Sequence, residues 1–201
     1  MKTLKNTLYI SVFFMACNLT AQEPAQENQP ANQNAVSIEN RMNSAPNIGL
    51  SAATRQDIAL MLNNLLADEF ILYTKTLNYH WNVVGPFFGD LHGFFNKLYV
   101  QLQGFMDLTA ERVRALGYRA DSTAKTLSSA SILLEEPKKL LASRTMLQNL
   151  LADHESIIKS IRSGIDMTAK VNDMGTNNFL CDLIMKYEKN AWMLRSYLIK
   201  E

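Results

Sequence analysis

The run DLHGFFNKLYVQLQGFMDLTAERVRAL, residues 90–116, holds no proline and repeats its apolar residues at three- and four-residue steps, so it predicts one unbroken helix. Setting His92 at zero and turning 100° per residue gathers Phe95, Leu98, Leu102, Phe105, Thr109, Val113 and Leu116 into a stripe between about 220° and 300°, the expected core face. His92, Asn96, Gln103, Asp107 and Glu111 fall between roughly 0° and 100°, a polar strip turned away from that core. A solvated helix face is the plain reading of such a strip. Three details speak for more. Asp107 and Glu111 are like charges at i, i+4, which repel unless a cation or a partner lies between them. Tyr99 and Met106 extend apolar surface toward the strip, as a contact with another chain requires. Of three histidines in the chain, two, His80 and His92, flank one helix junction.

Working outward, the apolar periodicity of Ile58, Met61, Leu62, Leu65, Leu66, Phe70, Leu72, Tyr73 and Leu77 predicts a preceding helix capped by Thr54. Gly85, Pro86 and Gly89 break the chain between the two, and Gly117 stops the second helix. A short helix is expected over Leu127–Leu134, ended by Pro137 and lying across the connection to the third long helix. That helix spans about Ser143–Val171, with Leu147, Leu150, Leu151, Ile157, Ile158, Ile161 and Ile165 inward; His154 reads there as an ordinary core or surface residue. A fourth starts at an N-cap Thr176 and turns Leu180, Leu183, Ile184, Tyr187, Trp192, Leu194 and Leu198 inward. The fold class is all-α: a four-helix bundle over residues 54–201, with a short extra helix in the crossover between the second and third long helices.

The chain's 201 residues suffice for one core, and its net charge of +1 supplies no global field for nucleic acid or anionic membranes. Lys2 and Lys5 before the apolar run Leu8–Ala16 read as a signal peptide over 1–21, too short to span a bilayer permanently. Cleavage after Ala21 is the favoured ending, with lipidation at Cys17 the alternative, so an exported, periplasmic or envelope-associated protein is expected. No transmembrane segment is expected in the mature chain. Residues 22–53 read as a flexible low-complexity tail carrying Glu23, Glu27 and Glu39 against Arg41 alone, no basic arm for gripping phosphates. Cys181, the second cysteine, reads as a small buried residue. Phosphate-binding glycine loops, Gly-x-Ser-x-Gly elbows and Cys-x-x-Cys pairs are absent from the sequence.

Length along the helix gives the candidate chemistry its shape. His92 and Asp107 stand roughly 22 Å apart along one axis, so they cannot share an ion within one chain. Antiparallel two-fold pairing of the helix with its copy superposes the His80/His92 end on the Asp107/Glu111 end, giving two equivalent sites of mixed origin. Imidazole plus carboxylate without thiolate suits Fe(II), Mn(II) or Zn(II), and open coordination positions favour redox chemistry with peroxide or dioxygen.

His80-Trp81-Asn82-Val83, Gly85, Phe88, His92, Phe95, Asp107, Ala110-Glu111-Arg112, Leu116-Gly117, Glu188-Lys189 and Trp192-Met193-Leu194-Arg195 together resemble the signature of the Dps family, the miniature ferritins, over roughly residues 54–200. The intrachain di-iron hallmark Glu-x-x-His is missing. The resemblance implies a ferritin-like cage of twelve subunits that oxidises Fe(II), preferentially with hydrogen peroxide, and stores Fe(III) inside. It implies His80 and His92 from one subunit and Asp107 and Glu111 from its two-fold mate as iron ligands, with Trp81 beside the site. Asn96 stands where the family often has an acid, a weaker donor for a second iron. Asn177 and Asn178 replace an acid near the pore of some relatives, leaving Asp166 and Asp173 as candidate contributors to an entry route. The competing functions are DNA compaction, disfavoured by the acidic tail and the export signal, and a structural zinc-binding envelope bundle.

Overall fold

Ser51, not Thr54, caps the first long helix of this computed structural model, which describes residues 45–135 and 139–199. The Ser51 hydroxyl accepts the Thr54 amide at 3.0 Å, so α1 runs Ala52–Asn82. Residues 45–51 precede this helix and pack back on the bundle. Pro46 sits 2.5 Å from where a Cβ on Gly117 would be, and the Tyr118 hydroxyl donates to the Ala52 carbonyl at 2.8 Å. The expected signal peptide, Cys17 and most of the tail lie outside the described residues, as does Pro137.

A five-residue loop leads to α2, Phe88–Ala115, two residues longer at its start than the sequence suggested. Its end is built on Gly117 at φ +87°: Gly117 N–H donates to Arg114 O and Tyr118 N–H to Val113 O, satisfying the last carbonyls. A side chain at 117 would meet both a strained φ and the Pro46 ring. The short helix α3 is Ala124–Ala130 rather than 127–134, because Thr123 caps it by accepting the Thr126 amide. It lies in the expected crossover and packs on α1, where Leu127 meets Leu66 and Ala67. The following segment is pinned by Asp68, which accepts from Ser131 Oγ and Ile132 N–H.

The third long helix, α4, is Ser143–Lys170, and a tight turn with Asn172 at φ +58° leads to α5, Met174–Leu198. Asp173 caps α5; the expected Thr176 supplies the capped amide at 3.0 Å instead. Arg112 of α2 reaches across to Asp173 and Thr176, so Asp173 is a 5% exposed, ion-paired cap and no free acid for an entry route. Asn177 is likewise turned inward, donating to Ile165 O and Thr168 Oγ1. Cys181 is half-buried and free.

Short loops make α1/α2 and α4/α5 antiparallel neighbours, and the two pairs meet chiefly along α1 and α4. All seven residues of the expected α2 stripe are buried in the resulting core. Trp192 departs from expectation at 60% exposed: the inward face of α5 passes through Asn190, Ala191 and Leu194, a full step of the wheel away. No described helix is long and apolar enough to cross a membrane.

Candidate metal centre

His80 lies in the last turn of α1, where helical carbonyls lack intrahelical partners, and His92 lies one turn into α2. Buried Tyr79, Val83 and Leu91 fix the two helix ends so that the imidazoles meet. Each ring then holds the other. His80 Nδ1 lies 2.9 Å from the His92 carbonyl, and His92 Nδ1 lies 2.9 Å from the His80 carbonyl. A carbonyl oxygen only accepts, so both Nδ1 atoms carry the proton and both Nε2 atoms keep a free lone pair, the form that binds a metal. The rings stack at 3.8 Å between centroids, 24° from parallel. Phe88, one turn before His92, stacks on its other face at 5.0 Å, and Tyr99 meets His80 edge-on at 5.2 Å. Asn96 accepts a 2.8 Å hydrogen bond from the Tyr99 hydroxyl.

Asp107 and Glu111 are exposed at the far end of the same helix face, away from the imidazoles, and no cluster of three metal-capable side chains exists among the described residues. The fold brings His80 and His92 together and leaves the carboxylates apart, as helix length requires. Asp107 borders an open groove of about 710 Å³ whose walls include Leu66, Phe70, Val100 and Met106. Trp81 follows His80 but is 68% exposed, so within the subunit the ring lying on the imidazole pair is Phe88. Phe88 and Tyr99 sit four residues before and seven after His92, the same-face spacing that flags them as its neighbours.

A second polar group lies in the bundle interior, where His154 takes the core position of its two expected placements. Glu69 of α1, His154 of α4 and Tyr187 of α5 are fully buried, with Tyr187 donating to Glu69 Oε1 at 3.2 Å and its ring 5.6 Å from the His154 ring. Burial lifts the Glu69 carboxyl to about 8, against the hydrogen bonds of Thr109 and Tyr187 that favour its charge. Burial drops the His154 imidazole to about 4, although its Nδ1 is held 2.7 Å from the Leu150 carbonyl. Near neutral pH this interior group is therefore largely uncharged. The signal was in the periodicity: Glu69 stands seven residues after Leu62, and His154 seven after Leu147, both on core stripes.

A family model described as a ferritin-like domain matches residues 59–201. "DNA protection during starvation protein 2" of Bacillus anthracis is 33% identical over 138 residues, 69% of this chain and 94% of that protein. The Dps protein of Vibrio cholerae O1, described as a member of a broad superfamily of ferritin-like diiron-carboxylate proteins, superposes with a TM-score of 0.74 at 31% identity, covering 78% of this chain and 98% of its own. This chain belongs to the Dps family of ferritin-like proteins. A low temperature-induced protein of a Nostoc species is 38% identical over 153 residues, 76% of this chain and 86% of that relative. Dps and ferritin-like proteins generally bind iron, oxidise Fe(II) and store the product. Two neutral Nε2 donors suit iron, the ion that this family generally binds.

Proposed function

We propose that the protein is a ferroxidase and iron store whose oxidation sites are completed by a second copy. His80 and His92 of one subunit and Asp107 and Glu111 of its two-fold mate hold Fe(II), and twelve subunits enclose the ferric product. The observation that carries this reading is the reciprocal lock of His80 and His92, which leaves both Nε2 lone pairs free on two adjoining rings while the same helix keeps Asp107 roughly 22 Å from His92. Antiparallel pairing also covers the groove beside Asp107, giving the apolar Val100 and Met106 a partner.

Hydrogen peroxide is the oxidant we assign, with dioxygen the slower substitute. Two Fe(II) give up one electron each, the O–O bond breaks, and two protons complete two waters. Removing ferrous iron and peroxide together suppresses hydroxyl radical, and the leader-like residues 1–21 support a place outside the cytoplasm for this protection. Anaerobic Fe(II) titration followed by peroxide, with mass determination, tests the reading. A soluble ferric core in a twelve-subunit particle is the expected result; zinc binding without ferrous turnover would replace it with a structural zinc role. Relatives named for DNA protection keep DNA binding as a second reading, which salt-sensitive gel retardation of the full chain would revive against its acidic tail.

A further inference from the structure

Each of the four long helices sends one polar side chain into the core, and the four converge. Glu69 of α1, Thr109 of α2, His154 of α4 and Tyr187 of α5 are all 0% exposed. Tyr187 donates to Glu69 Oε1 at 3.2 Å, and Thr109 adjoins the same carboxyl. Glu69 Oε2, Thr109 Oγ1 and His154 Nε2 nevertheless lack a hydrogen bond of good geometry, and they are three of the four such buried side-chain atoms among the described residues. Buried polar atoms have given up their bonds to bulk water, so three orphans in one group are costly unless something bonds them. Their directions are complementary. His154 Nδ1 gives its proton to the Leu150 carbonyl of its own helix, so Nε2 is an acceptor aimed away from α4 into the bundle. Glu69 Oε1 already accepts from Tyr187, and burial favours the protonated carboxyl, so Oε2 is the donor end. Space is available beside them, because Thr109 is, with Val113, the smallest side chain on a stripe otherwise made of Phe and Leu.

We propose that this group is a binding site for an internal water molecule, which accepts from Glu69 Oε2, donates to His154 Nε2 and takes Thr109 Oγ1 as its third partner. Three bonds are the usual complement of a buried water, and an uncharged ligand suits an interior whose own acid and base are largely uncharged. A divalent cation fits less well, since no three metal-capable side chains meet among the described residues. The water completes a chain from Tyr187 through Glu69 to His154 and the Leu150 carbonyl, with Thr109 attached at its middle. All four helices are then joined at one point, and only one register of the α1/α2 pair against the α4/α5 pair satisfies every member. Glu69 and His154 act as a unit although no direct bond joins them.

The test is a near-atomic-resolution crystal structure of the assembled full chain, with anomalous data. The expected result is an oxygen-sized peak about 2.6–3.2 Å from both Glu69 Oε2 and His154 Nε2, without anomalous signal. An anomalous scatterer at that point, or the two side chains in direct contact with no peak between them, would overturn the proposal. Denaturant unfolding at fixed subunit concentration gives an independent reading. Glu69→Met or His154→Phe alone leaves the water short of partners, whereas the double variant releases it. The double variant should therefore be less destabilised than the two single effects combined, by about tenfold in the unfolding equilibrium constant. Repeating the cycle in a Tyr187→Phe background separates the water from the phenol, and the non-additivity should persist there. Effects that multiply to within about twofold, or a coupling that disappears with the Tyr187 hydroxyl, would contradict a bridging water. Should these variants fail to assemble, the crystallographic peak decides alone.

Discussion

Three histidines make the same hydrogen bond in two different places. His80, His92 and His154 each donate from Nδ1 to a backbone carbonyl, at 2.9, 2.9 and 2.7 Å. At the α1/α2 junction the rings stack on each other at the partly exposed edge of the subunit, and their Nε2 atoms face away from the bonds that hold them. In the bundle interior the His154 ring is 0% exposed, and its Nε2 is buried without a hydrogen-bond partner among the described residues. Burial removes the charge of His154 and of Glu69 together, whereas Asp107 and Glu111 stand in water. The comparison teaches that tautomer alone does not make a ligand. What matters is where the second nitrogen points and whether a carboxylate can reach it while still charged.

The sharpest way to break this contrast is to remove one member from each region. His80→Ala or Asp107→Ala should slow ferrous oxidation by more than about 100-fold, beyond the usual loss from removing a partner that only supports a ligand, with little change in melting. His154→Ala should do the reverse: about 2–4 kcal/mol lost in denaturant unfolding, through the cavity left at a fully buried site, and an oxidation rate within about twofold of wild type.

A smaller effect reads the interior charges directly. Because the Glu69 carboxyl is raised from 4.5 to about 8, the folded state keeps a proton that the unfolded chain releases, so its contribution to stability is lost as pH climbs through that window. His154, lowered from 6.5 to about 4, has the opposite slope, its contribution being lost as pH falls from 6.5. The two largely cancel between 4.5 and 6.5, leaving a decline on the order of 2 kcal/mol between pH 6.5 and 8. Glu69→Gln should flatten that decline in melts at fixed subunit concentration; an unchanged slope would mean that the interior carboxyl is not held neutral. The smallest expected change is at the outer site. Asn96→Asp adds an anionic donor beside the imidazoles and should tighten ferrous binding a few-fold in anaerobic calorimetry.

The outer site was largely legible in the sequence, because periodicity names the core stripe of α2 and the rise per residue separates His92 from Asp107 without reference to any fold. The helix starts were misplaced by the same mechanism twice. Ser51-x-x-Thr54 and Asp173-x-x-Thr176 each carry a cap-type residue at both ends, and the inner threonine, a good cap by residue type, supplies the capped amide instead. The short helix repeats the pattern, with Thr123 capping Thr126. The interior group was only partly legible, for a different reason. His154 reads as a core or surface residue, whereas Glu69, equally on a core stripe, carries a chemistry that argues for the surface, and the packing of Tyr187 against both explains how polar groups stay inside.

The claim that one working site needs two copies is tested most directly by mixing. His80→Ala and Asp107→Ala subunits, inactive alone, are unfolded together, reassembled and assayed for rapid Fe(II) oxidation. In a mixed pair one site recovers both imidazoles and both carboxylates while the other loses a member of each set, so random reassembly should restore about a quarter of the wild-type rate. A mixture no more active than its two parents would contradict a site shared across the seam.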